Sequence, residues 1–138
     1  MGTIIKTNMI NTDTETFRLL IYCNAPPDVI EQSISINKML AEKLLQIKSS
    51  RRTMKIEECF YNTISELPEN STVSGIDVMF NPKYKIDILR ILIETNKRRP
   101  FRLVWPGTFD NNKLKYGEED LADYKTYEIS DYDIMCVV

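Results

Sequence analysis

Residues 17–37 read FRLLIYCNAPPDVIEQSISIN, and the fold turns on how they divide. Phe17 to Cys23 is a near-continuous apolar run, the pattern of a strand buried on both faces of a parallel sheet. Pro26, Pro27 and Asp28 end it. Asp28 and Glu31 have the spacing of a helix start, because two carboxylates there can satisfy orphan N–H groups. The helix they open is short, since SISIN (33–37) alternates apolar and polar like a brief strand. Only residues 24–33 separate the two strands. A parallel crossover normally needs a dozen residues or more. Either the crossover is cramped or the two strands are not neighbours.

Further along, Ile36, Leu40, Leu44 and Ile47 recur at helical spacing, with Asn37 placed to cap the helix. A basic turn, KSSRRTMK (48–55), follows. Ile56, Phe60, Ile64 and Leu67 repeat the spacing until Pro68 stops it. TVSGIDVMF (72–80) is a strand candidate. Asn81-Pro82 resembles a cap followed by proline at the first helical position, opening a heavily apolar helix over 83–97. FRLVW (101–105) is a short strand. TFDNNKLKY (108–116) reads as a hairpin turning at Asn111-Asn112. The acidic stretch 118–123 is loop or a helical turn, and YEISDYDIMCVV (127–138) is a final strand.

Strands alternating with helices predict an α/β fold: a single small domain over 1–138, with a mostly parallel sheet of about four or five strands, flanking helices and a C-terminal hairpin. Residues 1–16, polar and threonine-rich, are expected as a flexible lead. They lack a signal-peptide core, and no apolar run approaches the roughly 20 residues that span a bilayer. A cytoplasmic location is expected.

Composition narrows the chemistry. The chain has 18 basic and 20 acidic residues, for a net charge of −2, so it has no bulk attraction for nucleic acid or an acidic membrane. It has no histidine, which removes the commonest general base and zinc ligand. Cys23, Cys59 and Cys136 are widely spaced and fall in apolar segments, as buried free thiols in a reducing compartment would.

The decisive absence lies after the first strand. A phosphate loop needs glycines, so that backbone N–H groups can converge on an anion, and a lysine to neutralise it. NAPPDVIEQ (24–32) has neither; two prolines lack an N–H and two carboxylates would repel phosphate. Of the four glycines, Gly2, Gly75, Gly107 and Gly117, none is followed by Lys-Ser or Lys-Thr.

FNPKYKIDILRIL (80–92), RRPFRLVWPGTF (98–109) and LKYG (114–117) follow in an order and spacing that resemble the small P-loop protein of type 3 BREX phage-defence systems, often called BrxF. The matching residues are Phe80, Pro82, Asp87, Leu89, Arg90, Trp105, Gly107, Thr108, Leu114 and Tyr116, within a likeness running from about residue 34 to 138. The resemblance implies a P-loop NTPase-like scaffold, here degenerate. The family's phosphate loop is replaced by residues 24–32. Its Walker-type aspartate falls on Ser74, the following Asn on Gly75, and its Glu on Asp77. Mg²⁺ coordination and water activation lose their groups.

No catalytic, cofactor-binding or metal-binding residue is assigned, and no cofactor is expected. Asp77 is either a metal or catalytic carboxylate or a strand-end residue making local hydrogen bonds. The candidate interaction residues are Arg51, Arg52 and Lys55, with Lys48 beside them, then Arg98, Arg99 and Arg102, and Trp105. The basic groups suit phosphates, an acidic partner or plain solvent. Trp105 suits an interface pocket or packing under the following hairpin. The expected function is a non-enzymatic interaction or assembly subunit of a BREX-like bacterial defence system. Its partners would be other proteins of that system or further copies of itself. The alternative is an accessory nucleic-acid-binding module.

Overall fold

A computed structural model describes residues 2–6 and 18–138. The elements run β1 (Thr3–Ile5), β2 (Leu19–Tyr22), α1 (Pro27–Gln32), β3 (Ile34–Ser35), α2 (Asn37–Leu45), α3 (Arg52–Ser65), β4 (Thr72–Ser74) and α4 (Ile88–Arg98). They continue with β5 (Arg102–Val104), β6 (Thr108–Asp110), β7 (Lys113–Tyr116), β8 (Lys125–Glu128) and β9 (Ile134–Val137). Six strands form a wholly parallel sheet in the order β1-β9-β2-β5-β4-β3, and β6-β7-β8 form a separate antiparallel sheet.

β2 is central and all four of its residues are buried, as its apolar run requires. The expected start of that run, Phe17, lies outside the described residues, as do 7–16 of the expected flexible lead; residues 3–5 of that lead form β1. The short link between β2 and β3 is resolved by separation: β5 and β4 lie between them.

Alternation assigns the two faces of the sheet. Leu19, Ile21, Val73, Leu103, Ile134 and Cys136 enter one large core with Leu40 and Leu44 of α2, Ile56, Phe60 and Ile64 of α3, and Leu89 and Leu92 of α4. Leu20, Tyr22 and Val137 point the other way and pack with Ala25, Val29 and Met135. The links β3–β4 and β4–β5 step across the sheet in one direction and β2–β3 in the other. Right-handed crossovers therefore put α2, α3 and α4 on one face and α1 on the opposite face.

Several local expectations are corrected. The strand expected over 72–80 ends at Ser74; Gly75 adopts φ +64 and a 3-10 turn covers Asp77–Phe80. The last helix starts at Ile88, not near 83, because Asp87 is its cap: the Asp87 carboxylate accepts from the Arg90 N–H at 3.2 Å. Asn81 instead accepts from the Lys83 N–H in a turn. Asn37 falls inside α2, whose cap position is Ile36. The final strand divides into β8 and β9 around a 3-10 turn, Ile129–Asp131. The hairpin turns at Asn111-Asn112, both in the left-handed region (φ 51 and 60) that a two-residue type I′ turn demands. No helix among the described residues is long and apolar enough to cross a membrane.

Candidate functional site

Open α/β sheets hold ligands in the crevice outside the carboxyl ends of their strands, where the chain changes direction across the sheet. Here that place is the end of β2, flanked by β5 and β9. Cys23 continues the ladder, its N–H donating to the Val137 carbonyl at 2.8 Å. Pro26 then takes the cap position of α1 with extended backbone, and Pro27 is the first helical residue. Neither has an N–H to offer. The Pro26 carbonyl accepts from the Ile30 N–H, and Asp28 stands in the first turn. The helix is only six residues long, so its dipole is small.

The neighbouring positions are engaged with each other. Ser33 Oγ donates to the Ile30 carbonyl at 2.6 Å and lies 3.1 Å from Ser74 Oγ. A Cβ on Gly75 would collide with Ser35 Oγ, so glycine lets β4 and β3 close up at this corner. Both oxygens of Asp77 are used: Asn37 Nδ2 donates to Oδ1 at 3.3 Å and the Tyr116 hydroxyl donates to Oδ2 at 3.1 Å. Asn37 Oδ1 in turn accepts from the Val78 N–H at 3.0 Å. Burial, and after it the bond to Asp77, pushes the Tyr116 hydroxyl up to about 12. Asp77 lies past the end of β4, in the 3-10 turn, and its hydrogen bonds reach α2 and β7 instead of its neighbours in sequence.

Trp105 is buried at the end of β5. Its Nε1 donates to the Lys115 carbonyl at 2.9 Å, and its ring meets Phe80 and Tyr127 edge-on. Phe80 stacks on Tyr116 with centroids 3.7 Å apart. This aromatic cluster joins the antiparallel sheet to the parallel one. Trp105, at 4% exposure, packs under the hairpin and is not presented as an interface anchor.

The basic candidates separate into different roles. Arg52 Nε donates to the Leu44 and Ile47 carbonyls at 2.9 and 3.0 Å, closing the end of α2. Arg98 lays its guanidinium 3.6 Å over the Tyr61 ring. Arg99 reaches the Leu67 carbonyl at 2.6 Å and Glu69 at 3.4 Å. Arg102 donates to the Tyr22 hydroxyl at 3.2 Å. Arg51 and Lys55 instead line a groove between α2 and α3. Its volume is about 650 Å³ and its other lining residues are Lys43, Gln46, Ile47, Lys48, Glu58, Cys59 and Asn62. Burial pushes the Cys59 thiol up, which keeps it neutral. α3 starts with no capping side chain and no acid in its first turn. Arg51, Arg52 and Lys55 all sit where the α3 dipole favours anions; the two carbonyl bonds at the end of α2 account for Arg52, and nothing comparable accounts for Arg51 and Lys55.

Comparison with family models, curated proteins and solved structures finds no match for this chain. Among the described residues, no group of three or more Cys, Asp or Glu side chains is arranged to hold a metal ion. The cysteines are free: the hydrogen bond with Cys136, and burial after it, pushes the Cys23 thiol up. Sequence reasoning missed Lys43, Gln46 and Asn62 as groove residues. A signal was available on α3, where 51, 55, 58 and 62 recur at helical spacing and share one face.

Proposed function

We propose that this protein is a non-catalytic interaction or assembly subunit of a bacterial phage-defence system of the BREX kind, working in the cytoplasm with other proteins of that system. It uses a P-loop-like sheet from which nucleotide chemistry has been removed. The strand order supports the scaffold reading. β5 lies between β2, the counterpart of the phosphate-loop strand, and β4, which carries the Walker-type position at Ser74. An inserted strand at that place is the arrangement of P-loop ATPases with an additional central strand; it is a fold-level analogy.

One observation carries the non-catalytic reading: Pro26, Pro27 and Asp28 occupy the turn where a triphosphate would need converging N–H groups and a lysine. Asp77, the remaining carboxylate of the family pattern, is held by Asn37 and Tyr116. Titration with ATP and Mg²⁺, followed by backbone amide spectra, tests it. The amides of residues 23–30 are expected to stay in place. Saturable shifts there would overturn the proposal.

The nucleic-acid alternative requires Arg51, Arg52, Lys55, Arg98, Arg99 and Arg102 to form one track. Arg52, Arg98, Arg99 and Arg102 each have an intramolecular partner. A salt-dependent gel shift separates the readings, because phosphate contacts weaken steeply with salt.

A further inference from the structure

We propose that the α2–α3 groove binds a compact phosphorylated small molecule of about nucleotide size, gripped chiefly by Lys48 and Arg51. The site is separate from the end of β2 and does not depend on the function proposed above.

The groove's charge is opposite to that of the protein. Four cations, Lys43, Lys48, Arg51 and Lys55, line it against one carboxylate, Glu58, on a chain of net charge −2. Two cations are already compensated: Lys43 pairs with Glu66 at 2.9 Å and Lys55 with Glu58 at 3.4 Å. Lys48 and Arg51 are exposed and have no ion pair among the described residues. Lys48 caps the 3-10 turn Ser49–Arg51 and Arg51 ends it, and the backbone bond from the Arg51 N–H to the Lys48 carbonyl (2.8 Å) fixes their spacing. Arg52 pins this turn to the end of α2 through the Leu44 and Ile47 carbonyls, so both cations project from a fixed base.

Size and lining select the class of ligand. About 650 Å³ falls within the range of small-molecule sites. Gln46 and Asn62 add amide donors and acceptors, and Ile47 and Cys59 an apolar wall suited to a ring or sugar. An arginine fork with a flexible lysine is the usual pairing for a phosphate group. Arg52, Arg98, Arg99 and Arg102 each have an intramolecular partner, so these arginines do not extend the groove's cations into a strand-length track.

The test is calorimetric titration of the full chain, without metal, with tripolyphosphate and in parallel with ATP. Saturable one-to-one binding of tripolyphosphate is expected, with amide shifts confined to residues 43–62. Affinity should fall at least about 10-fold in Lys48→Ala/Arg51→Ala, roughly the loss of one charge-assisted contact, and stay within about twofold in Arg98→Ala, which lies outside the groove. ATP binding more tightly than tripolyphosphate assigns a nucleotide; equal affinity assigns the phosphate chain alone. Absence of saturable tripolyphosphate binding, equal affinity in the double variant, or binding of a single-stranded oligonucleotide but not tripolyphosphate would each overturn the proposal. Shifts at 43–62 leave the proposed function untouched; shifts at 23–30 refute that function, and without shifts at 43–62 they overturn the groove proposal as well.

Discussion

The Tyr116 hydroxyl donates to Asp77 at 3.1 Å and so ties the antiparallel sheet to the carboxyl edge of the parallel one. This bond gives the carboxylate a structural task. It also sets the behaviour of the tyrosine at high pH. Burial, then Asp77, raises Tyr116 from 10.0 to about 12. In Asp77→Asn the phenol should titrate lower, yet still above the ordinary value because burial remains. Ultraviolet difference titration of the phenolate reads this directly; an unchanged midpoint would refute it.

The same shift links stability to pH. Tyr127 is likewise raised to about 12 by burial, and burial and then Asp87 push Tyr132 up as well. A group whose folded pKa is raised holds its proton more tightly in the native state. Its contribution is complete below pH 10 and is lost as pH climbs through 12. Urea midpoints should therefore be flat approaching pH 10 and decline beyond it. A midpoint that rises over that interval would contradict the assigned burial.

Arg51 and Arg52 are adjacent in sequence and opposite in role. Arg52→Ala removes two bonds to the Leu44 and Ile47 carbonyls and should cost about 1–3 kcal/mol. Arg52→Lys should recover only part of this, because an ammonium does not reproduce the guanidinium's planar fork. Arg51→Ala should change stability by no more than about 0.5 kcal/mol, as an exposed unpaired residue. Denaturant unfolding compares the three; equal losses at 51 and 52 would show that the division is wrong.

Trp105 is the chain's only tryptophan, so its emission reports its own environment. It should be blue-shifted when folded and move to the red on unfolding. Trp105→Phe keeps an aromatic ring but leaves the Lys115 carbonyl without its donor, at a cost of about 1–2 kcal/mol. Trp105→Ala should cost about 3–5 kcal/mol. Thermal melts followed by far-ultraviolet dichroism test both. A Trp105→Ala protein as stable as the wild type would return this residue to the surface.

Gly75 closes the corner between β3 and β4 at φ +64, where a Cβ would force Ser35 Oγ to move aside. Gly75→Ala should lose about 1–3 kcal/mol from the left-handed backbone alone. A melt unchanged from wild type would mean that the corner can relax.

Local patterns along the chain suffice for the α/β class, the buried character of β2, the amphipathic helices α2 and α3, the Asn111-Asn112 turn and the chemical poverty of residues 24–32. Each is a local property: hydrophobic period, turn propensity, or the presence or absence of an N–H. Tertiary structure decided the rest. β3 is brief and lies at the far edge, so its distance from β2 depends on which strands insert between them, which no local pattern encodes. The strand expected over 72–80 stops at Ser74 because Gly75 turns the chain against Ser35, a contact 40 residues away in sequence. β8 and β9 read as one run because no glycine or proline interrupts residues 127–138; only their different partners, β7 and β2, separate them. The six basic candidates looked equivalent along the chain. Four found a carbonyl, a ring or a hydroxyl, while Arg51 and Lys55 remained in the groove, because a charge's partner is fixed by folding.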